Sequence, residues 1–338
     1  MITIDGSENE GGGQILRTAL TLSLHTGTPF RIENIRGGRQ RPGLLRQHRA
    51  AVKAAAAVAS AQVDGDELGS LELAFTPGAV AAGEYKFAVG SAGSAMLVLQ
   101  TVLPVLMLAP KPSTLVLEGG THNSAAPPYD FVERAYLPLI HRIGARVRTE
   151  LLAAGFHPAG GGMVKVAIEP AAALRPLELI QRGASKRRAA RAIVANLPRR
   201  IGERELALTA QRLSWEKSCF AVEEIRSRGP GNVLFLEVES DNITEVFTGF
   251  GSRGVTAEAV AEGAVGEARR YLAANVAVGE HLADQLLLPL ALAKGGVFTT
   301  LPPTRHTHTN IATIGRFLQT KIRLISGDNR VCTVEVAP

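Results

Sequence analysis

Two histidines near the end of the chain, in Arg305-His306-Thr307-His308-Thr309-Asn310, offer the most direct chemistry. On a strand, side chains at i and i+2 share a face and could ligate a metal together with a further ligand. A histidine ahead of a helix start can instead act as nucleophile or acid/base, its second ring nitrogen held by a neighbour. A capping or packing role uses the same residues, and residue type alone leaves the three readings open. About one strand earlier, Gly279-Glu280-His281-Leu282-Ala283-Asp284-Gln285 opens a helix.

Other segments suit anions. Glu10-Gly11-Gly12-Gly13-Gln14 precedes a helix containing Arg17. Glycines let a ligand approach the backbone, and a helix N-terminus offers unpaired N–H groups. No GK[ST] follows and the run is not GxGxxG, which excludes a Walker A loop and a dinucleotide fingerprint. Gly90-Ser91-Ala92-Gly93-Ser94 and Gly119-Gly120-Thr121-His122-Asn123, the latter ahead of Asp130, also stand between a strand and a helix. In the segment from Arg39 to His48, the side chains of Arg39, Arg41, Gln47 and His48 gather at a helix start. Arginine forks match phosphate oxygens, so this stretch favours phosphate binding.

The elements that position these residues recur in order. MITI, Gln14–His25, Phe30–Ile35, Pro42–Ala61 and LELAF read as strand, helix, strand, helix, strand. The order returns with strand Tyr85–Val89, helix Ser94–Leu108, strand Ser113–Glu118, helix Pro127–Ile143 and the strands RVRTELL and GMVKVAIEP. A third copy has helix His281–Ala293, strand VFTTL, helix Asn310–Leu318, and strands KIRLI and RVCTVEV around a turn Ser326–Asn329. Its first strand is predicted at LELIQRG, residues 177–183. The stretch between that strand and its helix has its own pattern: helix Glu203–Arg212, strands Ser218–Ile225, Val233–Glu239 and Glu245–Phe250, and helix Thr256–Leu272. The prediction is an α+β fold: three copies of this recurring order form a large domain of residues 1–183 and 275–338, and a smaller α/β domain, 184–274, is inserted in the third.

The 338 residues are 46% hydrophobic and 20% charged, the balance of a folded globular chain. The formal net charge is +6, and basic residues crowd at Arg36, Arg39, Arg41, Arg46 and Arg49 and again at Lys186, Arg187, Arg188, Arg191, Arg199 and Arg200. Such clusters suit polyanions or form a solvated basic face. Cys219 and Cys332 lie far apart without a CxxC, which argues against a disulfide framework or a cysteine zinc site. The N-terminal residues lack a secretory pattern, and the apolar run Met96–Ala109 is too short to span a membrane. A cytoplasmic location without membrane partners is expected.

Eight segments, in order, carry a resemblance over nearly the whole chain: IDGSENEGGGQILRTALTLS, RPGLLRQH, GSAGSAMLVLQTVLP, GGTHNSAAPPYDF, GFHPAGGG, GPGN, GEHLADQL and HTHTNIA. Together they are similar to the RNA 3'-terminal phosphate cyclases; the resemblance implies three repeated β-α-β-α-β-β units, with a smaller α/β domain inserted in the third repeat. The resemblance implies ATP and RNA bearing a 3'-terminal phosphate as substrates. It places a nucleophilic histidine four residues before the Asn of the TN pair, hence at His306. That histidine takes AMP from ATP and passes it to the RNA 3'-phosphate, and the ribose 2'-OH then closes a 2',3'-cyclic phosphate, releasing AMP. By the same match Glu10 would coordinate a divalent cation (Mg or Mn), and Arg17, Arg39 and Gln47 would contact phosphate. Gln100 and the stretch His281, Leu282, Ala283, Asp284 and Gln285 would line the nucleotide site. His281 stands where the family commonly has Tyr, so a smaller ring would face adenine. A silent cyclase-like RNA-binding ribosome-assembly factor is the alternative; such relatives lack the nucleophilic histidine. An enolpyruvyl transferase on a similar scaffold would not carry HTHTN or RPGLLRQH.

Overall fold

The computed structural model describes residues 1–327 and 331–338. The expected turn at Ser326–Asn329 therefore lies partly outside the described residues.

The first unit contains β1 (Ile2–Asp5), α1 (Gly13–Thr26), β2 (Phe30–Glu33), α2 (Arg46–Ala59), β3 (Gln62–Asp64) and β4 (Leu73–Thr76). The second contains β5 (Glu84–Ala88), α3 (Ala95–Leu106), β6 (Ser113–Gly119), α4 (Tyr129–Phe131), α5 (Leu137–Ile143), β7 (Arg146–Ala153) and β8 (Gly162–Glu169). Next come β9 (Glu178–Leu179), β10 (Ser185–Ala195), α6 (Arg200–Leu213), β11 (Phe220–Ile225), β12 (Gly231–Ser240), β13 (Thr244–Phe250) and α7 (Ala257–Ala273). The chain closes with α8 (Glu280–Leu292), β14 (Gly296–Thr300), α9 (Arg305–Phe317), β15 (Lys321–Ser326) and β16 (Cys332–Ala337).

The fold is α+β, with four mixed sheets of four strands each. Three of them share one order: β1-β2-β4-β3, β5-β6-β8-β7 and β9-β14-β16-β15. In each, the first two strands pair parallel across a helix and the rest pair antiparallel. Burial alternates strictly along β6 and β8, the pattern of a sheet with one face on the core. Helix α1 is buried from Gln14 to Leu24 except at half-buried Arg17, because α2, α3 and α9 all pack on it.

The fourth sheet, β11-β10-β12-β13, belongs to residues 185–250 and is covered by α6 and α7. It has a hydrophobic cluster of its own around Leu234, Leu236, Phe247, Val265 and Tyr271. Arg182, just before β10, donates from its guanidinium to the carbonyls of Tyr271 (2.8 Å) and Leu272 (3.0 Å), while lying 4.9 Å over the Tyr271 ring. Entry to this segment and exit from it are thus clamped together.

Several element boundaries differ from the sequence reading. Helix α2 starts at Arg46 rather than Pro42, since Gly43 has φ +81° and the His48 ring accepts the Leu45 N–H at 3.2 Å. The helix expected over 127–143 is divided by a π turn at Val132–Tyr136. The short strand β3 was not foreseen: its polar Gln62-Val63-Asp64 has no apolar pattern and is held by pairing with β4. Nor was β10, where Lys186–Arg191 reads as a charge cluster; most of its basic side chains meet acids on or beside the neighbouring strands and on α4. Lys186 pairs with Asp241, Arg187 with Glu237 and Glu239, and Arg191 with Asp130 and Glu223.

Candidate active site

Helix α9 begins five residues before the expected Asn310, so the HTH segment is helical rather than strand-like. Thr304 caps it: the Thr304 Oγ1 accepts the Thr307 N–H (3.2 Å), and the Thr307 Oγ1 accepts the Thr304 N–H (3.3 Å). On a helix, residues i and i+2 point about 200° apart. His306 and His308 therefore do not share a face, and the reading as a paired metal ligand is lost. Asn310, on the buried side of α9, donates to the Asp284 carbonyl at 3.1 Å and accepts from the Thr18 hydroxyl at 2.9 Å, tying α9 to α8 and α1.

The centre of the site is a chain of three side chains from three helices. Gln14 Nε2 donates to both oxygens of Asp284, at 2.8 and 2.9 Å. That orientation turns Gln14 Oε1 toward His306, whose Nδ1 donates to it at 2.7 Å. The proton is thereby placed on Nδ1, leaving the Nε2 lone pair of a neutral ring for chemistry. Burial lowers the His306 pKa against the pull of Asp284, with Arg17 and Arg39 adding to the depression, so the ring is held in its neutral form. Burial pushes Asp284 up, opposed first by the Gln14 amide and then by the charges of His306 and Arg17. Every polar side chain touching the Asp284 carboxylate is an amide donor: Gln14, Asn310 (3.3 Å) and Gln285 (3.4 Å).

Gln285 and Gln100 are hydrogen-bonded to each other, and Gln100 Oε1 accepts from Arg17 Nε at 3.3 Å. Desolvation pulls Arg17 down to about 10, still cationic at neutral pH. No carboxylate lies within ion-pair distance of Arg17 among the described residues. A desolvated guanidinium with no direct ion pair among the described residues, one turn into α1 and only steadied by the charge of Asp284, suits an anion. His48 lies against the same helix start: a side chain at Gly13 would collide with His48 Nε2 and meet Arg17 Nη1 at 3.1 Å. Burial, then the charges of Arg17 and Arg36, take His48 down to about 3, so it is a neutral donor from Nε2.

Glu10 approaches α9 through its backbone N–H, which donates to the Thr309 hydroxyl at 3.1 Å. Its carboxylate is 6% exposed and ion-pairs with Arg39. Both its oxygens are buried without a hydrogen bond among the described residues. A side chain at Gly12 would overlap this carboxylate, so that glycine is what lets Glu10 fold back over the helix start. A buried acceptor-only carboxylate whose one partner among the described residues is the half-exposed Arg39 fits a divalent cation.

The remaining expected residues fall into three groups. Leu282 and Ala283 are in the hydrophobic core on the inner side of α8. Gln47 accepts the Ser94 N–H at 3.2 Å and so joins α2 to the start of α3. The Arg41 side chain is exposed and has no partner among the described residues; only its carbonyl is used, by Arg36 at 2.6 Å. His281 is exposed on α8, with Nε2 3.6 Å from Glu267 and 4.0 Å from Glu280. Glu267 above all raises its pKa, and these three ligand atoms lie within 4.8 Å of one another, close enough to share a cation. Gln14 and Asn310 were not foreseen as site residues. Both stood inside quoted motifs, and only packing of α1, α8 and α9 gave them partners.

A histidine with a neutral Nε2 beside an arginine that has no ion pair among the described residues, at a helix N-terminus, has the chemistry to suit nucleophilic attack on a phosphoryl group. Comparison with known proteins gives this class its family. The family model described as RNA 3'-terminal phosphate cyclase matches residues 8–324. A relative from Salmonella agona named RNA 3'-terminal phosphate cyclase is 54% identical over 96% of this chain and 94% of its own length. Relatives of the same name from Koribacter versatilis and Ectopseudomonas mendocina are 52% and 50% identical, over 97% and 99% of this chain and 93% and 98% of theirs. The chain belongs to the RNA 3'-terminal phosphate cyclase family.

Proposed function

We propose that this enzyme converts an RNA 3'-terminal phosphate into a 2',3'-cyclic phosphodiester at the expense of ATP, through AMP carried on His306. The observation that carries the reading is the Asp284–Gln14–His306 chain, which leaves Nε2 unprotonated and aimed away from its anchor. His306 Nε2 attacks the α-phosphorus of ATP; the N–P bond forms as the bond to pyrophosphate breaks. Positive charge grows on the ring while its Nδ1 proton stays, and the Gln14 carbonyl with Asp284 behind it stabilises that charge. An oxygen of the RNA 3'-phosphate then displaces the histidine from the adenylyl phosphorus, returning the ring to neutrality. In the last step the ribose 2'-OH attacks the 3'-phosphorus, loses its proton to solvent and expels AMP. Adenylylation supplies the leaving group that a phosphate monoester lacks, and covalency already holds the 2'-OH in place.

Arg17, with His48 beside it, would bind phosphate oxygens at the start of α1, and Arg39 would do so from the adjoining loop. Gln100, Asp284 and Gln285 would orient the nucleotide. Glu10 would hold a divalent cation (Mg or Mn), whose charge would offset that of the phosphates. We assign these functions to a large domain, residues 1–183 and 275–338, and treat 184–274 as an insertion. The separate sheet and hydrophobic cluster support that division. A cytoplasmic location belongs to the same proposal. Among the described residues no helix is long and apolar enough to cross a membrane.

The test is self-labelling with ATP radiolabelled at the α-phosphate, followed by a chase with RNA carrying a 3'-phosphate. Acid-labile label is expected on the wild type and absent from His306→Ala, and the chase should move it to RNA and free AMP. Label retained in His306→Ala and lost in His308→Ala would assign the nucleophile to the other histidine.

A further inference from the structure

Three of the eight segments that carry the family resemblance have no part in the site above, and they meet elsewhere. GGTHNS (His122, Ser124), GFHPAGGG (Phe156, His157) and GPGN (Gly231, Asn232) line one cleft of about 840 Å³, whose far wall is the end of β13 and the start of α7. The volume is that of a ligand site rather than a packing defect. We propose that this cleft holds a nucleotide of the RNA strand upstream of the 3'-phosphate, its base against Phe250 and His157 and its backbone at Arg253 and Arg228. The inference rests on the RNA reading above.

Chemistry favours a nucleotide. The floor is apolar: Phe156 is buried, stacked on His122 with centroids 5.0 Å apart, and packed against Gly231 where no side chain fits. Half-buried Phe250 and exposed His157 leave ring surface open, and aromatic faces accept any base. Asn232 lines the cleft with its amide fixed: Nδ2 donates to the buried Glu205 at 3.1 Å, and Oδ1 accepts no hydrogen bond among the described residues. That oxygen can receive an amino group of a base.

Charge points the same way. The basic strand β10, which in sequence suggests an RNA surface, is largely neutralised by the acids named above. Arg253 lines the cleft, and Arg228 lies beside it against Gly161; both are exposed and have no ion pair among the described residues. Uncompensated guanidiniums at the rim of a ring-lined cleft match a phosphodiester. Contact also links the cleft to the catalytic edge. Gly160, two residues past the cleft wall at Pro158, is pressed on the Ser91–Ala92 backbone, where an added Cβ would stand 3.0 Å from Ala92 Cα. Two residues further on, Ser94 is held by Gln47.

The experiment measures binding of a fluorescein-labelled RNA oligonucleotide with a 3'-phosphate by anisotropy, without ATP. Arg253→Glu and Ser252→Trp, both on the exposed rim, should weaken binding by at least roughly tenfold. Their self-adenylylation, which uses no RNA, should keep the wild-type rate and so report an intact fold. The proposal puts the cleft beyond the last two nucleotides, so a dinucleotide with a 3'-phosphate should serve wild type and variants with equal KM. Unchanged oligonucleotide affinity in both variants overturns the proposal, as does an equal loss with the dinucleotide. Absence of self-adenylylation in the wild type would instead sink the enzymatic reading and leave the binding result standing.

Discussion

The Gln14 amide can satisfy Asp284 and His306 together in one orientation only, because a carboxylate takes its NH₂ and leaves its oxygen for a ring N–H. Gln14→Leu should therefore keep the fold and lower the adenylylation rate by about 100-fold, the scale of a mispositioned reacting group. KM for ATP should change much less, and steady-state labelling kinetics separate the two. Protonation gives a second test. In the proposed mechanism attack needs neutral His306, whose pKa is held below its ordinary 6.5, so the rate should fall on the acid side only below pH 6.5. Gln14→Glu would add a negative charge beside the ring and move that acid limb to higher pH; an unmoved limb would show that another group sets it.

At the scale of elements, two helix starts are fixed by local capping. Thr304→Ala removes the acceptor for Thr307 N–H at the start of α9 and should cost about 1 kcal/mol in a denaturant titration. His48 at the start of α2 carries a pH signature. Folded, its pKa is taken down to about 3 from an ordinary 6.5, so it stays neutral where the unfolded chain takes up a proton. Its contribution is thus complete above pH 6.5 and is lost as pH falls from there toward 3. Between pH 7 and 5 the wild type should lose more stability than His48→Gln; equal losses would remove His48 from the acid response. The sequence showed that a helix follows RPGLL, but not where. The φ of Gly43 and the reach of the His48 ring, both tertiary details, decide its first turn.

Across the whole molecule, the join between the second unit and residues 184–274 runs through Asp130. It faces His122 at 3.1 Å and ion-pairs with Arg191 of β10, itself only 17% exposed. Removing one partner of a buried pair leaves a charge without compensation. Arg191→Ala should lower stability by roughly 3 kcal/mol in urea unfolding, whereas Arg204→Ala, whose pair with Glu258 is exposed, should change it little. The alternation of apolar residues and the recurring helix–strand order made most of the elements legible. Strand β10 escaped because its first half, Ser-Lys-Arg-Arg, is polar on both faces, and only Glu237, Glu239 and Asp241 across the sheet explain why.

The sequence by itself determined the α+β class and the family, since these depend on local periodicity and on residue types in order. Tertiary structure alone separated His306 from His308, through a helix start that puts them on different faces, and gave Gln14 its place between Asp284 and the ring. It also neutralised Lys186, Arg187 and Arg191 and left Arg228 and Arg253 without an ion pair among the described residues. Hydrogen-bond partners and counter-charges lie hundreds of residues apart in the chain, as Gln14 and His306 do, and nothing local in either residue specifies the other.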